Sequence, residues 1–118
     1  MAQHNLTGKW GEQIAMEHLL ASGYMIEATN VRIGKVEIDI VARKDDRIIF
    51  VEVKTRSSNY VDALTSIDAE KTRRLLMAAD TYMRGVELSL EPQIDLIFIV
   101  GTPETGFSLE HIPDAIYP

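Results

Sequence analysis

The stretch that most constrains this chain is residues 36–56, VEIDIVARKDDRIIFVEVKTR. Two apolar runs flank the polar turn Lys44-Asp45-Asp46-Arg47 and read as a β-hairpin. Side chains alternate along a strand, so Glu37, Asp39 and Val41 share one face and Val36, Ile38 and Ile40 the other. On the next strand Ile48, Phe50, Glu52 and Lys54 share a face. Closing the hairpin symmetrically over Asp45-Asp46 sets residue 44 opposite 47. Asp39 then lies across from Glu52, and Glu37 across from Lys54. Opposed residues in an antiparallel pair have Cβ atoms roughly 4.5–5.5 Å apart. Two carboxylates held that close repel each other unless a positive charge stands between them.

A hard divalent cation with oxygen ligands supplies such a charge. Mg²⁺ or Mn²⁺ on Asp39 and Glu52 would polarise a phosphoryl oxygen and acidify a bound water. Lys54, on the same face as Glu52, would orient that water or stabilise charge growing on the phosphate. That is the chemistry of phosphodiester hydrolysis. The spacing also allows plainer roles. Glu37 and Lys54 fit a cross-strand ion pair, and Asp39 and Glu52 fit a solvated sheet face.

Around the hairpin the chain alternates helix and strand signals. Thr7 is placed to cap a helix over residues 8–22 that ends near Gly23. Helical spacing puts Gly8, Glu12, Ala15 and Leu19 on one face, so Glu12 is a candidate to hold a second metal or a metal-bound water. Residues 24–33 read as a strand closed by Gly34, and residues 57–65 as a polar loop. A second helix spans 67–84, capped by Ser66 or Asp68 and stopped by Gly85. The run IDLIFIV is apolar in both directions and predicts a strand covered on both faces. A short strand or turn around FSLEHI follows. The order is αβββαβ, one α/β domain over residues 1–118 with a mixed central sheet flanked by helices.

A hydrophobic fraction of 46% is enough for a packed core, and the absence of cysteine excludes disulfides and thiolate metal sites. The N-terminus carries no apolar signal region and no run approaches a membrane span, so a soluble cytoplasmic protein is expected. The net charge of −6 argues against binding nucleic acid through overall charge. A local patch from Arg56, Lys71, Arg73 and Arg74 would serve instead, although the same residues fit a solvated helix face. Trp10 and Tyr60 are candidates for base stacking or for packing. His4, His18 and His111 are scattered without metal-ligand spacing.

Asp39, a spacer and Glu52-Val53-Lys54 resemble the D-x(n)-(D/E)-x-K signature of the PD-(D/E)XK nuclease superfamily, whose restriction-endonuclease-like core also runs αβββαβ. The likeness covers most of the chain. GKWGEQIAMEHLLASGYMI, NVRIGKVEIDIVA, IIFVEVKTR, Lys71 with Arg74-Leu75, IDLIFIV and HIPDAI resemble the YraN-like family of bacterial proteins, related in fold to archaeal Holliday junction resolvases. The resemblance implies a Mg²⁺- or Mn²⁺-dependent endonuclease acting on DNA, with branched or structured DNA as substrate class. It implies metal ligation at Asp39 and Glu52, Lys54 as catalytic lysine and Glu12 as the helix glutamate completing the site. It also implies that Thr55, Arg56 and Lys71 lie near the substrate backbone, and that the protein works as a homodimer. The chain departs from the pattern in three places. Ile38 replaces the superfamily's proline, Val36 a glycine of the family, and Gln93 an arginine before ID. Gln93 and the acidic balance suit an alternative, a non-catalytic nucleic-acid- or protein-binding module that keeps the fold.

Overall fold

The computed structural model describes residues 2–56, 69–86 and 89–116, with side chains from Gly8 onward. The elements are α1 (Ala2–Ala21), β1 (Met25–Ile33), β2 (Val36–Lys44), β3 (Arg47–Arg56), α2 (Ala69–Met83), β4 (Glu91–Thr102) and β5 (Gly106–Ile116). The expected αβββαβ order is present, and what reads as a short terminal strand or turn is a full fifth strand. Thr7 lies inside α1 and does not cap it. The polar loop at 57–65, Tyr60 and the caps at Ser66 and Asp68 lie outside the described residues, as does the side chain of His4.

The strands form one mixed sheet in the order β1-β2-β3-β4-β5. β3 and β4 run parallel, because α2 lies in the crossover between them, and every other neighbouring pair is antiparallel. Leu75, Ala78 and Ala79 of α2 pack on one face against Ile48, Phe50 and Phe98. Ala15 and Leu19 of α1 pack on the other against Ile40, Ile49, Val51 and Ile97. β4 is buried continuously from Ile94 to Ile99, as a strand covered on both faces must be. Small residues let the layers approach closely. A Cβ added at Gly11 would stand 2.0 Å from Thr55 Oγ1, so α1 is seated directly on the end of β3. Among the described residues no helix is long and apolar enough to cross a membrane.

The hairpin register is the one implied by its turn. Lys44 faces Arg47, and the pairing continues to Ile40 opposite Val51. There the ladder stops, and the regular alternation expected of β2 stops with it. Ile38 packs with Val41 on the α2 side, whereas Ile40 packs on the α1 side. Across the other edge of β2 the register shifts between Ile26 and Ala28 and then runs unchanged through Thr29–Ile40 and Val31–Ile38, but Asn30 between those pairs has φ 51°. A local irregularity therefore runs through Asn30 and Asp39, and it opens the sheet where the charged residues cluster.

Candidate functional site

Asp39 and Glu52 meet where β2 and β3 part. Asp39 Oδ2 accepts the N–H of Val53 at 2.8 Å, in the stretch where the β2–β3 ladder no longer continues. The Asp39 and Glu52 carboxyls lie side by side in the wall of one cavity. Burial pushes the Asp39 carboxyl from 3.8 up to about 8, reinforced by the hydrogen bond and charge of Glu52 and by the charge of Glu12, against the opposing pull of the Val53 N–H. Glu52 is only 5% exposed. At neutral pH Asp39 therefore keeps its proton, as a carboxyl forced against another carboxyl does.

Two lysines answer this negative charge. Lys71, in the first turn of α2, places Nζ 2.6 Å from Glu52 Oε2, and Lys54 Nζ stands 3.7 Å from the same oxygen. Burial and then contact with Lys71 lower the Lys54 pKa, although Glu52 pulls the other way. For Lys71 burial works downward, but the bond to Glu52 outweighs it and the pKa is raised. One cation is thus firmly charged and its neighbour gives up a proton more readily. The Glu37–Lys54 pair expected from the register does not form. Glu37 pairs with Arg32 at 3.6 Å, and Lys54 turns to Glu52.

These groups line a cavity of ≈ 490 Å³ between the opened hairpin and α2, with Lys35 and Arg74 also in its wall. Four basic side chains thus stand in a wall that also carries Glu37 and Glu70, with Arg74 paired to Glu70 at 2.6 Å, which gathers positive charge locally on a protein of net charge −6. Lys35 carries no spacing signal of its own; its place in the Gly34-Lys35 turn brings it here. Thr55 and Arg56 are outside this wall. Thr55 faces α1 against Gly11, and Arg56 folds back to donate to the Thr55 carbonyl at 2.9 Å. Arg73 is exposed outside the cavity, and Trp10 packs edge-on to Phe107 with ring centroids 5.4 Å apart.

Hard oxygen donors already side by side fit a small divalent cation, which commonly uses one or two carboxylates and keeps waters on its remaining positions. Among the described residues no three His, Asp or Glu side chains converge into a preformed cage. Glu12 accordingly stands apart from the pair. Its Oε1 accepts from Asn30 Nδ2 at 3.1 Å, and its charge is felt at Asp39.

The sequence pattern of the Uncharacterised protein family UPF0102 matches residues 11–99 of this chain. The chain belongs to the UPF0102 family. This is the YraN-like family that its motifs resemble. The UPF0102 protein BF0634 of Bacteroides fragilis is 42% identical over 120 residues, covering 100% of this chain and 98% of that protein. A UPF0102 protein of Bacteroides thetaiotaomicron is 40% identical with the same coverage. Among solved structures, SfsA of Pyrococcus furiosus in complex with Ca²⁺ is similar with a TM-score of 0.45 and 15% identity, over 98% of this chain and 65% of that one. Archaeoglobus fulgidus Hjc, a Holliday junction resolvase, is similar with a TM-score of 0.42 and 16% identity, over 93% and 91% of the two chains.

A second polar cluster of this UPF0102 chain lies under α1, away from the cavity. Asp95 is fully buried and accepts from His111 Nε2 at 2.7 Å, Gln93 Nε2 at 2.8 Å, the Asp114 N–H at 2.9 Å and the Tyr24 hydroxyl at 3.2 Å. Burial alone would raise its pKa, but His111, Asp114 and Gln93 outweigh that and hold it below the ordinary carboxylate range. Burial and the Asp95 charge push Tyr24 up to about 12. His18 Nε2 lies 3.0 Å from His111 Nδ1, so the histidines that look scattered in sequence form a chain leading to Asp95. Burial and then His111 lower the His18 pKa. Gln93, where the family pattern suggests arginine, is a partner of Asp95 here and does not line the cavity.

Proposed function

We propose that this chain is a metal-dependent endonuclease that hydrolyses phosphodiester bonds of DNA, with branched or structured DNA as its substrate class. The observation that carries this reading is the gathering of the Asp39 and Glu52 carboxyls in one cavity whose wall also holds Lys35, Lys54, Lys71 and Arg74. Asp39 and Glu52 would hold Mg²⁺ or Mn²⁺. When bound, the cation supplies a Lewis acid for the phosphoryl oxygen and a water of lowered pKa.

The protein's own residues account for the rest. Lys71 fixes Glu52 through its 2.6 Å bond, and the Val53 N–H fixes Asp39. Lys54 Nζ lies within reach of the same centre, where it donates to a phosphate oxygen as negative charge builds. Its lowered pKa makes Nζ a readier proton donor than an ordinary lysine. Lys35 and Arg74 attract the phosphate backbone over the short range that matters on an acidic protein. A homodimer would present two such cavities to the two strands of a branched duplex.

In this reading plasmid DNA is nicked in Mg²⁺ and not in EDTA, and the activity disappears in Asp39→Ala and Lys54→Ala. Unchanged nicking in either variant would sink the assignment. The net charge of −6 favours a second reading, a binding module without catalysis. DNA or protein bound tightly without metal, and DNA left uncut with it, would select that one.

A further inference from the structure

We infer that Asn30 is a positioning residue for the cation site, its single amide nitrogen tying Glu12 of α1 to Glu37 in the wall of the Asp39–Glu52 cavity; this rests on the cavity being a metal site. Asn30 lies between the Thr29–Ile40 and Val31–Ile38 pairs of the β1–β2 ladder, on the strand flanking Asp39. Its φ of 51° is left-handed, a conformation that costs most residues energy and that asparagine tolerates better than most. A turn conformation is therefore built into the middle of a nine-residue strand. From there Nδ2 lies 3.1 Å from Glu12 Oε1 and 3.3 Å from Glu37 Oε1. An amide nitrogen has two N–H groups, so it can serve one carboxylate from α1 and one from β2 at once.

The choice of a neutral donor matters. Lysine or arginine here would neutralise Glu12 and compete with a divalent cation for its field. An amide fixes the carboxylate's position and leaves its charge intact. Glu37 lines the cavity itself and the Glu12 charge acts more weakly on Asp39, so holding the two carboxylates still shapes the negative field around the two ligands. Partners of this kind behind metal-site carboxylates typically change metal affinity by about 10–100-fold.

Asn30→Gly separates the two roles the residue could play, because glycine accepts the left-handed backbone while deleting the amide. Mn²⁺ affinity would be measured by calorimetry on wild type, Asn30→Gly, Glu12→Gln and the double variant, with thermal unfolding recorded without metal. Glu12→Gln retains the oxygen that accepts from Asn30 and removes only the charge. The expected result is an unfolding midpoint for Asn30→Gly close to wild type and Mn²⁺ binding weakened about tenfold or more in each single variant. The double variant should lose less than the two single losses added together, because part of the Asn30 effect passes through Glu12. Wild-type affinity in Asn30→Gly, undiminished affinity in Glu12→Gln, or fully additive losses would each overturn the inference while leaving the metal site standing. Wild type that binds no Mn²⁺, or binding that survives Asp39→Ala, would overturn both.

Discussion

Replacing Asp39 by asparagine should make the metal-free protein more stable while removing a ligand. In the folded state the carboxyl titrates at about 8, against 3.8 ordinarily, chiefly because it is buried against Glu52. Near pH 7 the fold thus retains a proton that the unfolded chain releases. At about 1.4 kcal/mol per pH interval, that costs the fold at most about 4 kcal/mol. Water entering the open cavity screens part of this, leaving about 2 kcal/mol. Asparagine at position 39 keeps an oxygen for the Val53 N–H and gains an N–H for Glu52, so the repulsion goes and both bonds remain. For a chain of this length about 2 kcal/mol corresponds to a rise of about 8 °C in unfolding midpoint.

The sign of the pH dependence follows from the raised pKa. A carboxyl that binds its proton more tightly when folded favours the fold in acid and opposes it as pH rises. The advantage of Asp39→Asn should therefore be absent near pH 3.8, open as pH increases and be complete above about 8. Thermal unfolding by circular dichroism in EDTA, between about pH 4 and 9, measures it. A variant no more stable than wild type near pH 8, or a gap that does not change with pH, would refute the reasoning.

Asp95→Ala would leave the buried donors of His111, Gln93, Asp114 and Tyr24 without their acceptor; the expected cost is about 3–5 kcal/mol, or about 12–20 °C in thermal unfolding. Since the Asp95 pKa is depressed, its stabilisation is present above 3.8 and is lost as pH falls through the folded value, so the gap to wild type should narrow in urea unfolding at strongly acidic pH. Gly11→Ala drives a methyl into Thr55 Oγ1 and should cost about 1–3 kcal/mol in urea unfolding, with Thr55→Ala in the same chain recovering part of it. Lys71→Ala removes the 2.6 Å partner of Glu52 and should lower nicking rates by about 10–100-fold, read by single-turnover kinetics with saturating DNA.

Much of this could be read from local sequence because it rests on local rules. The turn at Asp45-Asp46 sets Lys44 opposite Arg47, and strand geometry then carries the register toward Asp39 and Glu52. IDLIFIV is buried on both faces because its apolar residues point both ways. What spacing concealed is longer-ranged. Strict alternation cannot foresee the break at Asn30 and Asp39, which turns Ile38 to the side of Val41 and ends the ladder before Lys54 can meet Glu37. Lys71 reaches Glu52 only because the crossover to β4 lays the start of α2 beside the end of the opened hairpin. His18, Asp95 and His111 lie far apart along the chain, and only the β4–β5 pairing and the seating of α1 bring them into one cluster. Asn30, part of the motif NVRIG, has the one local cue, an asparagine in mid-strand, where turn-formers are uncommon.

The most direct test of the central claim is cleavage of labelled four-way junction, flap, duplex and single-stranded DNA in Mg²⁺, Mn²⁺ or EDTA, with Lys54→Ala alongside. Cutting that needs the metal, favours the branched substrates and vanishes in Lys54→Ala is the expected result. Cutting that persists in EDTA or in Lys54→Ala, or no cutting of any substrate with either metal, would contradict it.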